Sequence, residues 1–479
     1  MRRLVCLLLL ALAPPAQGGA ADWMRSNRER ILAEFSALLS IPNTVSNLPD
    51  LRRNAELLCR MMERRGIRAG LIETPGVPAV VYGELPAAPS AETLVFYAHY
   101  DGQPVNPREW ETGDPFRPVR KDGRIYARSA SDDKGAIMAM LAALDAIKAG
   151  GASPACNLKF FFEAEEEAGS PHLARIVRAN AARLKADLWF ICDGPVHQSG
   201  RPQLYFGARG VTTLEVEVYG PARELHSGHY GGWAPNPAVM LAHLVASMRD
   251  EEGRVRIDGF YDGAARLSET ERRALARTPA VEEALRRELG LGRTEGGGRR
   301  LEVLVNEPTL NIRGIRSADT GPQARNVVPS SAVAAIDIRL VKGLTPERAQ
   351  NLVVEHIRRQ GYFVTEAEPG MALRRSHPKI ARLRRGSGYG AAKTPMDLPI
   401  AKRVVRAVEA ARGPVVLSPT LGGSVPLYIF EQELGAPFIG LPIANHDNNQ
   451  HAANENIALD NLWSGIETLA AVMTMPSGR

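Results

Sequence analysis

An α/β domain built on a mostly parallel sheet flanked by helices, interrupted by a smaller α+β sandwich, is the fold this 479-residue sequence predicts. Three features point to it. Short all-apolar runs alternate with amphipathic helical patterns over the first 200 residues. From residue 211 the stretch VTTLEVEVYG alternates apolar and polar side chains with period two. Near residue 394 the first pattern returns. A chain of this length exceeds what one hydrophobic core organises, so the expected division is 22–208 with 391–479 as one domain and 209–390 as the inserted one.

Residues 1–21 read as a secretory leader. Arg2 and Arg3 precede the apolar run Leu4–Ala13, and Pro14, Pro15, Gly18, Gly19 and Ala20 supply a cleavage zone. The run is too short to span a bilayer, and no other stretch approaches the roughly 20 apolar residues a spanning helix needs. A secreted or periplasmic location and a mature chain without a membrane span are therefore expected.

Residues 24–40 place Ile31, Leu32, Phe35, Leu38 and Leu39 on one helical face, and 51–65 repeat the pattern. TLVFYA (93–98) is a compact run of the buried parallel type. Lys134–Lys148 reads as a helix stopped by Gly150 and Gly151, and 157–162 and 187–192 read as two more buried strands. In the inserted region 211–220 and 332–340 are half-buried strands, with helices at 236–249 and 345–359. The glycine-rich, basic stretch Gly290–Arg300 is a surface loop. A helix at 397–412 and the strand-like APFIGLPI complete the chain.

A formal charge of +6 accompanies scattered basic residues rather than a stripe interleaved with aromatics, which argues against a nucleic-acid partner. Of four cysteines, Cys6 lies in the leader, and Cys59, Cys156 and Cys192 form neither a disulfide framework nor a CxxC zinc motif.

Ionisable residues gather where the predicted strands end. His99 and Asp101 follow TLVFYA, Asp132 and Asp133 open a helix, and EAEEEAGS (163–170), Asp193 and His451 follow other strands. That edge of an open α/β sheet is where ligands bind. Each has a bland reading: a structural histidine, a helix cap, a turn aspartate, a solvated acidic run. Together, two histidines and several carboxylates supply the donors that divalent cations use.

The motifs HYDGQP, DPFRPVRKDGRIYARSASDDKG, EAEEEAGS, CDGP, ELHSGHYGG, RNVVPSSAVAAIDIRL, GGSVP and HAANE resemble, in order and spacing, those of the M20 metallopeptidases, closest to their carnosinase-like and nonspecific dipeptidase branch. The resemblance implies two divalent metal ions. His99 and Asp193 bind one, Glu167 and His451 the other, and Asp132 bridges them, while Asp133 stays outside. Zinc suits this N/O donor set, with manganese or cobalt as substitutes. Asp101 orients the His99 imidazole, and Glu166 is the general base for a water shared by the ions. In the inserted domain the resemblance assigns His226 to the oxyanion, in many members across a subunit boundary. Arg339 clamps a substrate carboxylate, Asn326 lies near the substrate, and the Gly422, Gly423, Ser424 loop holds its terminus. A homodimer through the inserted domain is implied.

The chain departs from the family in carrying Tyr126, Ala127, Arg128, Ser129 in place of YGRG, Glu224 before LHSG, and Cys192 beside Asp193. His446 is a rival to His451. The expectation is a peptidase acting on dipeptides or short peptides with a free carboxyl terminus. The alternatives are an N-acyl amino acid amidohydrolase on the same scaffold and a metal-dependent binding protein without turnover. Glu166 speaks against the last, since a binder needs no base.

Overall fold

The computed structural model describes residues 18–478; most of the expected leader, residues 1–17, lies outside them. Helices Arg28–Leu39 and Leu48–Glu63 bury the apolar faces their spacing predicts, Phe35, Leu38 and Leu39 on the first and Leu51, Leu58, Met61 and Met62 on the second. Asn47 starts the second helix by accepting from the Asp50 N–H, the usual way an N-terminal amide is satisfied.

The large sheet has eight strands. In spatial order they are Arg68–Thr74, Val77–Leu85, Asn157–Glu163, Thr93–His99, Leu188–Ile191, Phe438–Gly440, Gln203–Tyr205 and Val416–Ser418. Its centre is parallel, as expected, because Thr93–His99 pairs in parallel with both neighbours. One edge is an antiparallel hairpin, residues 68–85, which the sequence reading did not recognise as strands. Phe96, Phe160 and Phe190 stack across three central strands on one face, with centroid distances of 5.8 and 5.0 Å. Tyr97, Phe161 and Trp189 line the other face. Both faces are covered, by the almost wholly buried helix Lys134–Ala149 with Leu459–Met473 on one side and by Leu173–Ala179 and Tyr428–Leu434 on the other. This two-sided burial explains runs with no polar alternation.

The inserted domain has its own core and a five-stranded sheet, ordered Thr309–Arg316, Ser331–Leu340, Gly210–Tyr219, Ile380–Tyr389, Phe363–Thr365. Every second residue of Gly210–Val218 is buried, under helices Pro237–Met248 and Pro346–Arg359. Thr309, Arg339, Val211 and Tyr389 lie side by side in register, on the face away from those helices. Helix Glu269–Arg277 packs back onto the large sheet, where Lys393 Nζ meets Glu271 at 2.7 Å. No helix among the described residues is long and apolar enough to cross a membrane.

Candidate active site

The parallel strands end together. His99 closes one strand opposite Glu163 on the next, Asp193 follows Leu188–Ile191 by two residues, and the loop bearing His451 comes after Phe438–Gly440. Helix Lys134–Ala149 starts just behind this edge and brings Asp132 and Asp133 to it.

His99 is fully buried, with Nε2 at 2.9 Å from Asp132 Oδ1 and 3.9 Å from Asp193 Oδ2. His451 approaches from the opposite side, its Nε2 at 3.1 Å from Asp132 Oδ2 and 3.2 Å from Glu167 Oε2. Asp132 thus turns one oxygen to each histidine. Two donor groups result, His99 with Asp133 and Asp193, and Asp132 with Glu167 and His451. Asp133, which the resemblance sets outside the ligands, is within reach of the first group, and its carboxylate accepts from the His99 backbone N–H at 3.3 Å. Imidazole nitrogens and carboxylate oxygens are the donor chemistry of zinc or manganese, so these residues fit a pair of divalent cations. Cys192 belongs to neither group, and burial with the nearby Asp133 and Asp193 charges raises its thiol pKa. His446 is exposed and belongs to neither group.

The electrostatics fit such a crowd. Burial and the Asp132 charge push Asp193 up to about 7. Burial, with Asp193 and Asp132 adding to it, pushes Glu166 well above the usual carboxylate range. Hydrogen bonds to Asp132 and Glu167 raise His451 to about 10. Burial would raise the Asp132 carboxyl, but hydrogen bonds with both histidines hold it well below its ordinary value.

The two adjacent glutamates share one site because the chain turns. Residues Glu166–Ala168 form a single 3-10 turn closed by Gly169 at φ 83° and Ser170 at φ 52°. Asp101 holds that turn as well as His99. Its carboxylate accepts from the backbone N–H groups of Glu166 at 3.2 Å and Glu167 at 3.0 Å, and lies 3.4 Å from His99 Nδ1. The other two glutamates have separate partners: Tyr97 Oη donates to Glu163 at 2.7 Å, and Glu165 meets His172 Nδ1 at 2.8 Å.

In the inserted domain Arg339 Nη1 donates to Ser424 Oγ at 2.8 Å, and Gly423 accepts from the Arg209 N–H at 3.2 Å, so Arg339 and the Gly422–Ser424 loop meet at the domain boundary. His226 and Asn326 lie elsewhere. His226 pairs with Val327 in a two-strand ladder, Asn326 adjoins it and accepts from the Ser227 N–H at 2.9 Å, both are exposed, and His226 contacts Gly228 and His229 among the described residues rather than the metal-donor groups.

The sequence reading missed several residues. Gln103 donates to Glu167 at 2.7 Å and Gln450 to Asp132 at 3.1 Å. Glu455 receives a cluster of donors from 128–132. Tyr389 stacks on Tyr428 at 5.1 Å, and burial together with the Glu166 charge lifts its phenol to about 12. Gln103, Gln450 and Glu455 lie within or beside the quoted motifs, which was the available signal.

This arrangement can be compared with known proteins. The profile of peptidase family M20/M25/M40 matches residues 95–475. The chain belongs to that family. It is 29% identical over 458 residues to a Cys-Gly metallodipeptidase of Schizosaccharomyces pombe, covering 92% of this chain and 94% of that one. It is 28% identical over 402 residues to human Beta-Ala-His dipeptidase, covering 82% and 75%. An M20 family metallo-carboxypeptidase from Sulfolobus solfataricus superimposes with a TM-score of 0.77 at 28% identity, covering 93% of this chain and 98% of that one. These relatives place the chain in the carnosinase-like dipeptidase branch of a metallopeptidase family.

Proposed function

We propose that this M20 member is a secreted or periplasmic dipeptidase that uses two divalent cations to cleave dipeptides or short peptides with a free carboxyl terminus. The observation carrying the reading is Asp132, whose two oxygens face His99 and His451 separately, beside a glutamate that burial keeps basic. The relatives named as dipeptidases support the substrate class. His99 and Asp193 would hold one ion and Glu167 and His451 the other, with Asp132 common to both. Bound there, divalent cations would polarise the scissile carbonyl and bring the pKa of water near neutrality. Glu166 takes the proton from the attacking water and returns it to the leaving amine. Arg339 and the Gly422–Ser424 loop bind the substrate carboxylate through a guanidinium, backbone N–H groups and a hydroxyl. Asp101 keeps His99 and the Glu166–Glu167 turn in register. His226, with Asn326 near the substrate, stabilises the oxyanion from the partner subunit of a homodimer formed through the inserted domain, in keeping with its exposed place away from the donor groups.

The test is hydrolysis of a dipeptide panel beside its N-acetylated counterparts, with zinc or manganese added, for wild type and Glu166→Ala. Metal-dependent turnover of free dipeptides, lost in Glu166→Ala with metal retained, is the expected result. Turnover confined to the N-acetylated set would assign an amidohydrolase instead, and turnover of neither would sink the enzyme reading.

A further inference from the structure

Glu455 ends the HAANE motif, and neither the metal groups nor the general base uses it. It is wholly buried. Its Oε1 accepts from the N–H of Ser131 at 3.0 Å, the Ser131 hydroxyl at 2.8 Å and the N–H of Asp132 at 3.0 Å. Its Oε2 accepts from Arg128 Nη1 at 2.7 Å and the N–H of Ser129 at 2.9 Å. Five donors converge on a group with about four lone-pair sites, and all come from residues 128–132. The backbone repeats the link: the Ala127 N–H donates to the Glu455 carbonyl at 3.1 Å, and Arg128 Nη2 to the Ala452 carbonyl at 3.2 Å.

Both tied segments need holding. Ser129 sits at φ 62°, where the family pattern has glycine, and Asn449, His451 and Asn454 have φ values of 55°, 63° and 60°. Left-handed conformations at residues with a Cβ persist only where the surroundings over-determine them. One segment ends in Asp132 and the other contains His451, and the Glu455 carboxylate accepts five of the hydrogen bonds that join them.

We propose that Glu455 is the positioning residue that sets the metal affinity of the Asp132, Glu167 and His451 group, by locking the 128–132 segment to the 449–455 loop. The inference rests on the two-metal reading above. Its effect falls on one group more than the other. The His99 site shares Asp132 but keeps His99 and Asp193, which stand at the ends of the central strands. The second group takes two of its three members from the segments that Glu455 joins. Its histidine is half exposed and stands in a left-handed loop.

The experiment measures zinc affinity by competition with a chromophoric chelator and counts zinc per chain after desalting, in wild type, Glu455→Gln and Ser131→Ala. Glutamine keeps the volume but points an NH2 group at N–H donors. Wild type is expected to hold two zinc ions and Glu455→Gln one, with the second affinity weakened about 10- to 100-fold, the usual size for a lost partner of a metal ligand. Raising free zinc restores kcat in Glu455→Gln. Ser131→Ala shifts the same affinity in the same direction by less. Asn157→Ala, which frees the chain at Ala88 and Ala91 by the start of its strand, serves as the control for stability alone and leaves both affinities unchanged. Equal weakening of both sites in Glu455→Gln, or wild-type affinities in the folded variant, overturns the proposal. If Glu455→Gln does not fold, wild-type affinities in Ser131→Ala overturn it. A wild type that binds no zinc refutes the two-metal reading and this inference with it.

Discussion

Replacing Asp101 by asparagine separates two roles for that residue, orienting His99 and holding the Glu166–Glu167 turn. The carboxylate is fully buried, and its two oxygens accept from two successive backbone N–H groups at 3.2 and 3.0 Å. Asparagine keeps the shape but offers one acceptor oxygen. Whichever way its amide sits, an NH2 group faces an N–H that had been satisfied. A hydrogen bond to a charged group contributes about 1.5–3 kcal/mol and an orphaned buried donor costs about 1–3 kcal/mol. The two overlap, so a total of about 2–4 kcal/mol is expected in urea unfolding of the metal-free protein. Zinc affinity falls about 10- to 100-fold, because His99 loses its anionic partner. The deciding measurement is kcat at saturating zinc. If the turn is loosened, Glu166 moves with its backbone and kcat stays at least about 10-fold low, since a misplacement near 1 Å can cost about 100-fold. Full recovery of kcat on adding zinc would refute the turn-holding role and leave Asp101 as a partner of His99 alone.

Burial pushes Glu163 up to about 7 from an ordinary 4.5. The folded protein therefore binds more protons than the unfolded chain between those values, and this group's share of stability is lost as pH rises through about 7. Glu163→Gln keeps an acceptor for Tyr97 and should flatten the fall in Tm of the metal-free protein between about pH 4.5 and 7, a contribution of up to about 3 kcal/mol; an unaltered profile contradicts it. Arg339→Ala should raise KM for dipeptides by roughly 10- to 100-fold, from the loss of about 1.5–3 kcal/mol of charged hydrogen bonding. It should leave C-terminally amidated analogues nearly unaffected, and equal losses on both would show that the guanidinium does not read the carboxylate. Mixing inactive Glu166→Gln with inactive His226→Ala and allowing subunits to exchange should recover about a quarter of wild-type activity, because half of the dimers then hold one intact site. No recovery from a mixture shown to exchange, or a monomeric mass by light scattering, would contradict action across the subunit boundary.

The buried strands and helices were legible because burial on both faces leaves a continuous apolar run, as in Thr93–His99, and burial on one leaves alternation, as in Gly210–Val218. The hairpin 68–85 was not recognised although Pro75 and Gly76 mark its turn, since Gly70, Pro78 and Gly83 dilute the strand pattern around it. The site's charged residues stood out because they follow apolar runs. What holds them did not. Asp101 meets Glu166 across 65 positions and Glu455 meets Asp132 across 323, and no local pattern records a hydrogen bond between segments so far apart. Asp133 likewise reaches the His99 N–H across 34 positions.

The acidic run EAEEEAGS shows how a chain concentrates charge without destabilising itself. Each glutamate is aimed differently. Glu163 ends the strand and shares a proton environment with Tyr97, Glu165 turns to His172, and the turn beyond carries Glu166 and Glu167 into the site. The carboxyl groups of Glu163, Glu166 and Asp193 have raised pKa values, and both site histidines are raised too. In the metal-free protein near neutral pH, protons thus moderate the repulsion. Cations require neutral imidazoles and ionised carboxylates, so loading the site must expel those protons. Zinc affinity should therefore rise steeply between about pH 6 and 9. Calorimetry at pH 7 in buffers of different ionisation enthalpy should show more than about one proton released per chain. A pH-independent affinity would mean that the donor groups are already deprotonated before the ions bind.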